Sequence, residues 1–282
     1  MQQVKIAGRT VPAIGIGTWH MGDRPAQRET EIAAIQAGIA AGARVIDTAE
    51  MYGSGRAETL VGAALQPYQR EDLFLISKVL PENASRQRME ASLDASLQRL
   101  RTDYLDLYLY HWRGSVPLAE TVAELQRLQQ TGKIRAWGVS NFDIADLEEL
   151  WRLPGGDQAA ANEDLYHLGS RGLDYAVLPW QRDHQLPLIA YSPIAQGDSW
   201  GQQLTTNATV KDIALAHQAT VYQVLLAWVI RQPQVLAIPQ TSSVAHMEQN
   251  LAAGDLKLSA AELAALDQQF PRPTHKERLD II

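Results

Sequence analysis

The chain has 282 residues, is 46% hydrophobic and carries a formal net charge of -7; this is ample for a large core and offers no basic block to nucleic acid. It contains no cysteine, which excludes disulfides, thiolate metal sites and cysteine nucleophiles. No apolar run reaches the about 18 residues of a membrane span, and the start, MQQVKIAGRT, lacks the apolar stretch of a signal peptide, so a soluble cytoplasmic protein with no membrane partner is expected.

Residues 1–12 predict a short β-hairpin turning at Gly8. Short apolar runs then alternate with helical patterns. Strands are predicted over 14–19 (IGIGTW), 44–49 (RVIDTA), 73–79 (LFLISKV) and 104–111 (YLDLYLYH), and then over 134–141 (IRAWGVSN), 158–162 (QAAAN), 187–192 (PLIAYS) and 235–239 (VLAIP). The helix over 86–100 is the clearest: Met89, Leu93, Leu97 and Leu100 follow one another at steps of four, four and three, on one face. Another helix, over 118–130, places Leu118, Val122, Leu125 and Leu128 together and is followed by Gly132, a residue suited to a helix C-terminus. The Ala-rich run 158–162 also reads as helix. Eight strand–helix units without a Gly/Ser-rich linker predict an α/β fold, a (β/α)8 TIM barrel spanning 1–282 as one domain with the N-terminal hairpin added. A doubly wound sheet is the rival. It would want a G-x-G-x-x-G turn, which GIGTWHMG (15–22) does not supply.

In a barrel the active site lies at the C-terminal ends of the strands. The polar residues expected there are Asp47 and Tyr52, Lys78, His111, Ser140 and Asn141, Asn162 and Glu163, Tyr191, and the run from Pro239 to Thr241. Singly, each has an ordinary reading: a helix cap for Asp47, a strand-end lysine for Lys78, a structural histidine for His111. Together they face one mouth. A free phenol titrates near pH 10 and a neighbouring ammonium favours its ionised form. Asp47, Tyr52, Lys78 and His111 therefore suit a phenolic general acid that protonates an oxygen while another agent delivers hydride. Paired carboxylates for glycoside cleavage and a Ser–His–Asp set are less well supplied, and no ligand spacing suggests a metal.

The segments VIDTAEMYGSGRAETLVGAAL (45–65), LISKV (75–79), MEASLDASLQRLRTDYLDLYLYHW (89–112), GKIRAWGVSN (132–141), LYHLGSRG (165–172) and AYSPIAQG (190–197) resemble the aldo-keto reductases over essentially the whole length, and most of all their bacterial methylglyoxal reductase branch. The resemblance implies an NADPH-dependent reduction of small aldehydes and ketones, such as methylglyoxal and aromatic aldehydes. Tyr52 would be the acid, Lys78 and Asp47 its tuning partners, and His111 the group that orients the carbonyl. It also implies a cofactor site. Ser140, Asn141, Asn162 and Glu163 would meet the carboxamide, and Tyr191 the nicotinamide ring, with Ser192 and Pro193 following it. Gln240, Thr241, Ser242, Ser243, His246 and Asn250 would surround the ribose phosphate. Trp19, Met51 and Trp112 would line the substrate pocket, although each also suits a core. Two departures from the family pattern stand out: Glu163 replaces the usual Gln, and Gln240 and His246 replace basic residues. They predict that NADPH is used with weakened discrimination against NADH. The resemblance suggests a monomer. Some proteins of this fold serve as cofactor-sensing subunits with little turnover, and that alternative is open at the level of sequence. So is the role of the stretch from Pro271 to Ile282, between a frayed terminus and a flap over the pocket.

Overall fold

A computed structural model describes residues 1–282. Strands β1 (Gln3–Ile6) and β2 (Arg9–Pro12) pair antiparallel around Ala7–Gly8, as the hairpin reading expects. Eight parallel strands follow: β3 (Ile16–Gly17), β4 (Val45–Asp47), β5 (Phe74–Val79), β6 (Leu105–Tyr110), β7 (Ile134–Ser140), β8 (Asn162–Leu165), β9 (Leu188–Tyr191) and β10 (Val235–Ala237). They lie side by side in chain order, and a parallel bridge between Ile14 and Ala237 joins the two edges. At that seam β3 approaches β10 so closely that a Cβ on Gly17 would stand 2.5 Å from the Ile238 carbonyl oxygen, which accounts for glycine in IGIGTW.

The helices around the barrel are α1 (Arg28–Ala40), α2 (Arg56–Ala64), α3 (Met89–Leu100), α4 (Leu118–Gln130), α5 (Ile144–Arg152), α6 (Val177–Asp183), α7 (Gly201–Thr206), α8 (Ala208–Ala216), α9 (Val221–Ile230), α10 (Val244–Ala252) and α11 (Ala260–Gln269). Their apolar faces meet the outer side of the sheet in a cluster of 60 buried residues. A second cluster of 13 fills the barrel interior, where Val4, Ile6 and Val11 of the hairpin close the bottom. No single helix is long and apolar enough to cross a membrane.

One strand departs from expectation. The predicted sixth strand over 158–162 is instead Asn162–Leu165, and residues 156–158 form a 3-10 turn. Ala160 and Ala161 already bond to β7 through Trp137 O and Val139 N, so the alanines are the approach to the strand. The strand proper, NEDL, escapes an apolar-run search because it is polar, yet all four residues are buried. Asn162 and Glu163 thus begin this strand rather than end it.

Candidate active site

Side chains alternate between the two faces of a strand, and the inner cluster shows which face enters the barrel. Val45, Phe74, Ile76, Leu107, Leu109, Ala161, Ile189, Leu236 and Ile238 all point inward. Two residues beyond the last inward apolar residue of each strand stand Asp47, Lys78, His111, Glu163, Tyr191 and Gln240. A period of two therefore lays a polar layer on an apolar plug. Asn162 has the opposite parity: its amide donates to Phe142 O at 3.0 Å and Asp164 Oδ2 at 2.6 Å, and it is fully buried outside the pocket. The structure does not bring Asn162 to the other candidate residues.

Tyr52 reaches the layer from the β4–α2 loop. Gly53, Ser54 and Gly55 take φ values of 57°, 55° and 87° in succession, a left-handed path open to glycine and tolerated by one serine. It turns the chain into α2 and leaves the phenol over the barrel mouth. Lys78 Nζ donates to Asp47 Oδ1 at 2.6 Å, to Thr48 O at 3.1 Å and to the Tyr52 phenol oxygen at 3.2 Å. Glu163 Oε1 stands 3.3 Å from the same nitrogen. Because Lys78 occupies a lone pair of the phenol oxygen, the phenol's own proton is free for the cavity. The His111 ring meets Tyr52 edge-on at 6.0 Å between centroids.

The electrostatics correct one expectation from sequence. Burial pushes the Tyr52 phenol above its ordinary value; Lys78 pulls it down, but Asp47 and Glu163 raise it again. The phenol is not acidified at rest and holds its proton throughout the neutral range. Burial would depress Lys78, yet Asp47 and Glu163 outweigh it and keep the ammonium charged. Burial, followed by the charge of Lys78, drives His111 well below the usual histidine range, so it is neutral at pH 7. The ring can then hydrogen-bond a carbonyl oxygen without adding charge.

A cavity of about 510 Å³ opens on this group, lined by Trp19, Met51, Tyr52, His111, Trp112, Ser140, Asn141, Glu163 and Tyr191. Sequence reasoning missed two further lining residues, Arg113 and Asp146; two more, Ile281 and Ile282, belong to the tail, for which a flap over the pocket is one of the two readings open at the level of sequence. Arg113 sits just past the end of β6, where a search of the following loop would find it, and Asp146 lies in the first turn of α5. Nothing local marks Ile281 and Ile282. The tail carries them there through an ion pair between Lys276 and Asp143 and a 2.6 Å bond from Ser170 Oγ to Asp280 Oδ2. A smaller cavity of about 110 Å³ runs from Asp47, Tyr52 and Tyr191 past Gly17, Ser192, Gln196 and Gly197 to Gln240. Beyond Gln240, Ser243 caps α10 by accepting from His246 N, while Thr241 Oγ1 accepts from Ser243 N. His246 lies exposed on α10 and Asn250 is buried one turn further on. Pro193 lines neither cavity. Ser140 Oγ donates to Glu163 O, and Asn141 accepts from the Tyr191 phenol at 2.9 Å.

Comparison with known proteins agrees with this arrangement. A model of the aldo/keto reductase family matches residues 13–269. The chain is 53% identical over 273 residues to methylglyoxal reductase YeaE of Escherichia coli, covering 97% of this chain and 96% of that protein. It is 33% identical over 262 residues to a glyoxal reductase of Bacillus subtilis, covering 92% and 89%. The crystal structure of an aldo-keto reductase from Klebsiella pneumoniae in complex with NADPH superposes with a TM-score of 0.97 at 49% identity, over 100% of each chain. The extent of the family match and the level of identity show that this chain belongs to the aldo/keto reductase family.

Proposed function

We propose that the chain reduces small aldehydes, methylglyoxal and aromatic aldehydes among them, with NADPH as cofactor and Tyr52 as proton donor. The observation that carries this reading is the phenol held 3.2 Å from a fully buried ammonium at the floor of an apolar cavity. The groove suits a dinucleotide. It leads from Tyr191 to Gln240, and beyond it lie the hydroxyls of Thr241, Ser242 and Ser243 at the start of α10, where backbone N–H groups and the helix dipole favour a phosphate. Glu163 Oε2, buried without a partner, offers a contact for the carboxamide. Ser140 and Asn141 border the same space. The bound nicotinamide would supply the hydride.

The chain's own residues do the rest. Trp19, Met51 and Trp112 exclude water and pack on the substrate. His111, neutral, donates a ring N–H to the carbonyl oxygen and fixes its position over Tyr52. The phenol gives its proton to that oxygen as negative charge develops there, and the adjacent Lys78 ammonium stabilises the phenolate left behind. Asp47 holds Lys78 in place and does not touch substrate.

The test is NADPH consumption with methylglyoxal and with an aromatic aldehyde, for the wild type and Tyr52→Phe. Turnover is expected to fall on the order of 10²-fold or more, with cofactor binding retained as read by tryptophan fluorescence. Near-native turnover in Tyr52→Phe, with hydride transfer limiting, would overturn the assignment.

A further inference from the structure

The polar layer holds one more carboxylate than its charge balance accommodates. Asp47 and Glu163 are each 1% exposed and Lys78 is 0% exposed, with Nζ 2.6 Å from Asp47 and 3.3 Å from Glu163. Tyr52 and His111 are neutral. With both carboxylates ionised the buried set would carry an uncompensated negative charge, which burial strongly opposes. One carboxyl oxygen on each side chain, Asp47 Oδ2 and Glu163 Oε2, is buried without a hydrogen-bond partner, and the two side chains interact directly. A proton on one of the two carboxyls would give the set a donor it lacks and remove the excess charge. The backbone of Glu163 is pinned, its main-chain carbonyl accepting from Ser140 Oγ and from Asn141 N, both at 2.9 Å, and its side chain is held at Lys78 through Oε1 at 3.3 Å.

We propose that Asp47 and Glu163 share one proton beside Lys78, that it resides on Glu163, and that Glu163 releases it when the positively charged oxidised nicotinamide binds. Residence on Glu163 follows from the distances, since the closer ammonium contact stabilises Asp47 as the ionised partner. Burial, followed by the neighbouring Asp47 charge, also raises the Glu163 carboxyl well above the ordinary glutamate range. The groups bearing on Glu163 are Asp47 from β4, Lys78 from β5, Tyr52 from its loop, His111 beyond β6 and Tyr191 from β9, with Asp164 on the opposite face of β8. Only Lys78 among them is cationic. A second positive charge at the nicotinamide position tips the balance: the Glu163 O–H bond breaks, its electron pair stays on the carboxylate and the proton passes to solvent. Reduced nicotinamide is neutral and leaves the proton in place. A protonated Glu163 offers one donor and one acceptor, as an amide does, and it spares Tyr52 a second negative neighbour. Glu163 thus acts as a positioning residue whose protonation removes one of the two negative neighbours that raise the phenol.

The release step rests on the nicotinamide reading above; the protonation state does not. Two measurements separate them. Calorimetric titration with NADP⁺ and with NADPH, each in two buffers of different ionisation enthalpy near pH 7, counts linked protons. Taking the difference between the two cofactors cancels the shared 2′-phosphate. The wild type is expected to release about one proton more with NADP⁺ than with NADPH, Glu163→Gln none, and Tyr52→Phe the same as wild type. An equal count for both cofactors in the wild type, or a difference that persists in Glu163→Gln, would overturn the proposal; a difference lost only in Tyr52→Phe would assign the proton to the phenol. The wild-type minus Glu163→Gln infrared difference spectrum of the free protein is expected to show the C=O stretch of one protonated carboxyl at pH 7; buried Asp164, whose carboxyl burial also raises, is common to both proteins and cancels. Absence of that band from the difference spectrum also refutes the proposal. Failure of both cofactors to bind would instead remove the functional reading, and the infrared band alone would then decide whether Glu163 is protonated.

Discussion

Replacing Lys78 by Met removes the ammonium and keeps most of the apolar stem, so it isolates the charge. Nζ lies 3.2 Å from the Tyr52 phenol oxygen. At an effective dielectric of about 20, unit charges at that distance interact by roughly 5 kcal/mol, all of it favouring the phenolate. With the proton about half transferred in the transition state, roughly half of this is lost, which corresponds to about a 10²-fold slower reduction. A second effect has to be removed first. Lys78 also compensates Asp47, and stripping one partner from a buried pair costs about 3–5 kcal/mol of stability. Lys78→Met alone is therefore expected to melt well below the wild type, with Asp47 taking up a proton. The double variant Lys78→Met/Asp47→Asn removes both charges and should recover much of the lost stability while remaining about 10²-fold slow. The assays are thermal melting, NADPH consumption, and single turnover with deuterium at nicotinamide C4 to confirm that the chemical step is observed. If the double variant reduces methylglyoxal within about threefold of wild type, Lys78 serves only to neutralise Asp47 and the electrostatic account of Tyr52 is wrong.

Glu163→Gln is expected to change the pH dependence of stability. In the unfolded chain Glu163 releases its proton near 4.5, whereas the folded protein retains it to higher pH. Between those limits the unfolded state binds fewer protons, so the wild type loses about 1.4 kcal/mol per pH unit from this group as pH rises, and the variant does not. Melting at pH 5 and pH 8 checks it, and an equal loss in both proteins refutes it. Gln240→Lys places a charge at the end of the groove and should raise the NADPH/NADH ratio of kcat/KM about tenfold, roughly 1.4 kcal/mol; a wild type already strict for NADPH would show that another group holds the phosphate. That group would be neither Arg272 nor Lys276, which face Asp174 and Asp143. Deleting Ile281 and Ile282 should raise KM for aromatic aldehydes several-fold, about 1 kcal/mol of lost packing, and change KM for methylglyoxal less. Equal effects on the two substrates would remove the tail from the substrate pocket.

The sequence alone determined the repeat of strand and helix and the polar residue at the end of each strand. Both follow from short-range rules: apolar periodicity, and a period of two that carries Phe74 and Ile76 on to Lys78, and Leu107 and Leu109 on to His111. The strand over Asn162–Leu165 escaped because its residues are polar and still buried, with Asn162 held by Phe142 just past β7 and by Asp164 on β8, partners that no local pattern reveals. Parity, once that register is known, sends Glu163 inward and Asn162 outward. The tertiary structure alone decided the charge state of the site. From sequence, Lys78 beside Tyr52 implied an acidified phenol. Folding adds a second carboxylate to the same ammonium and removes the water that would screen it, and a buried group's proton affinity is set by every charge around it. The tail was undecidable for a related reason: Ile281 and Ile282 reach the cavity only because Lys276 and Asp280 find Asp143 and Ser170, residues more than 100 positions away along the chain.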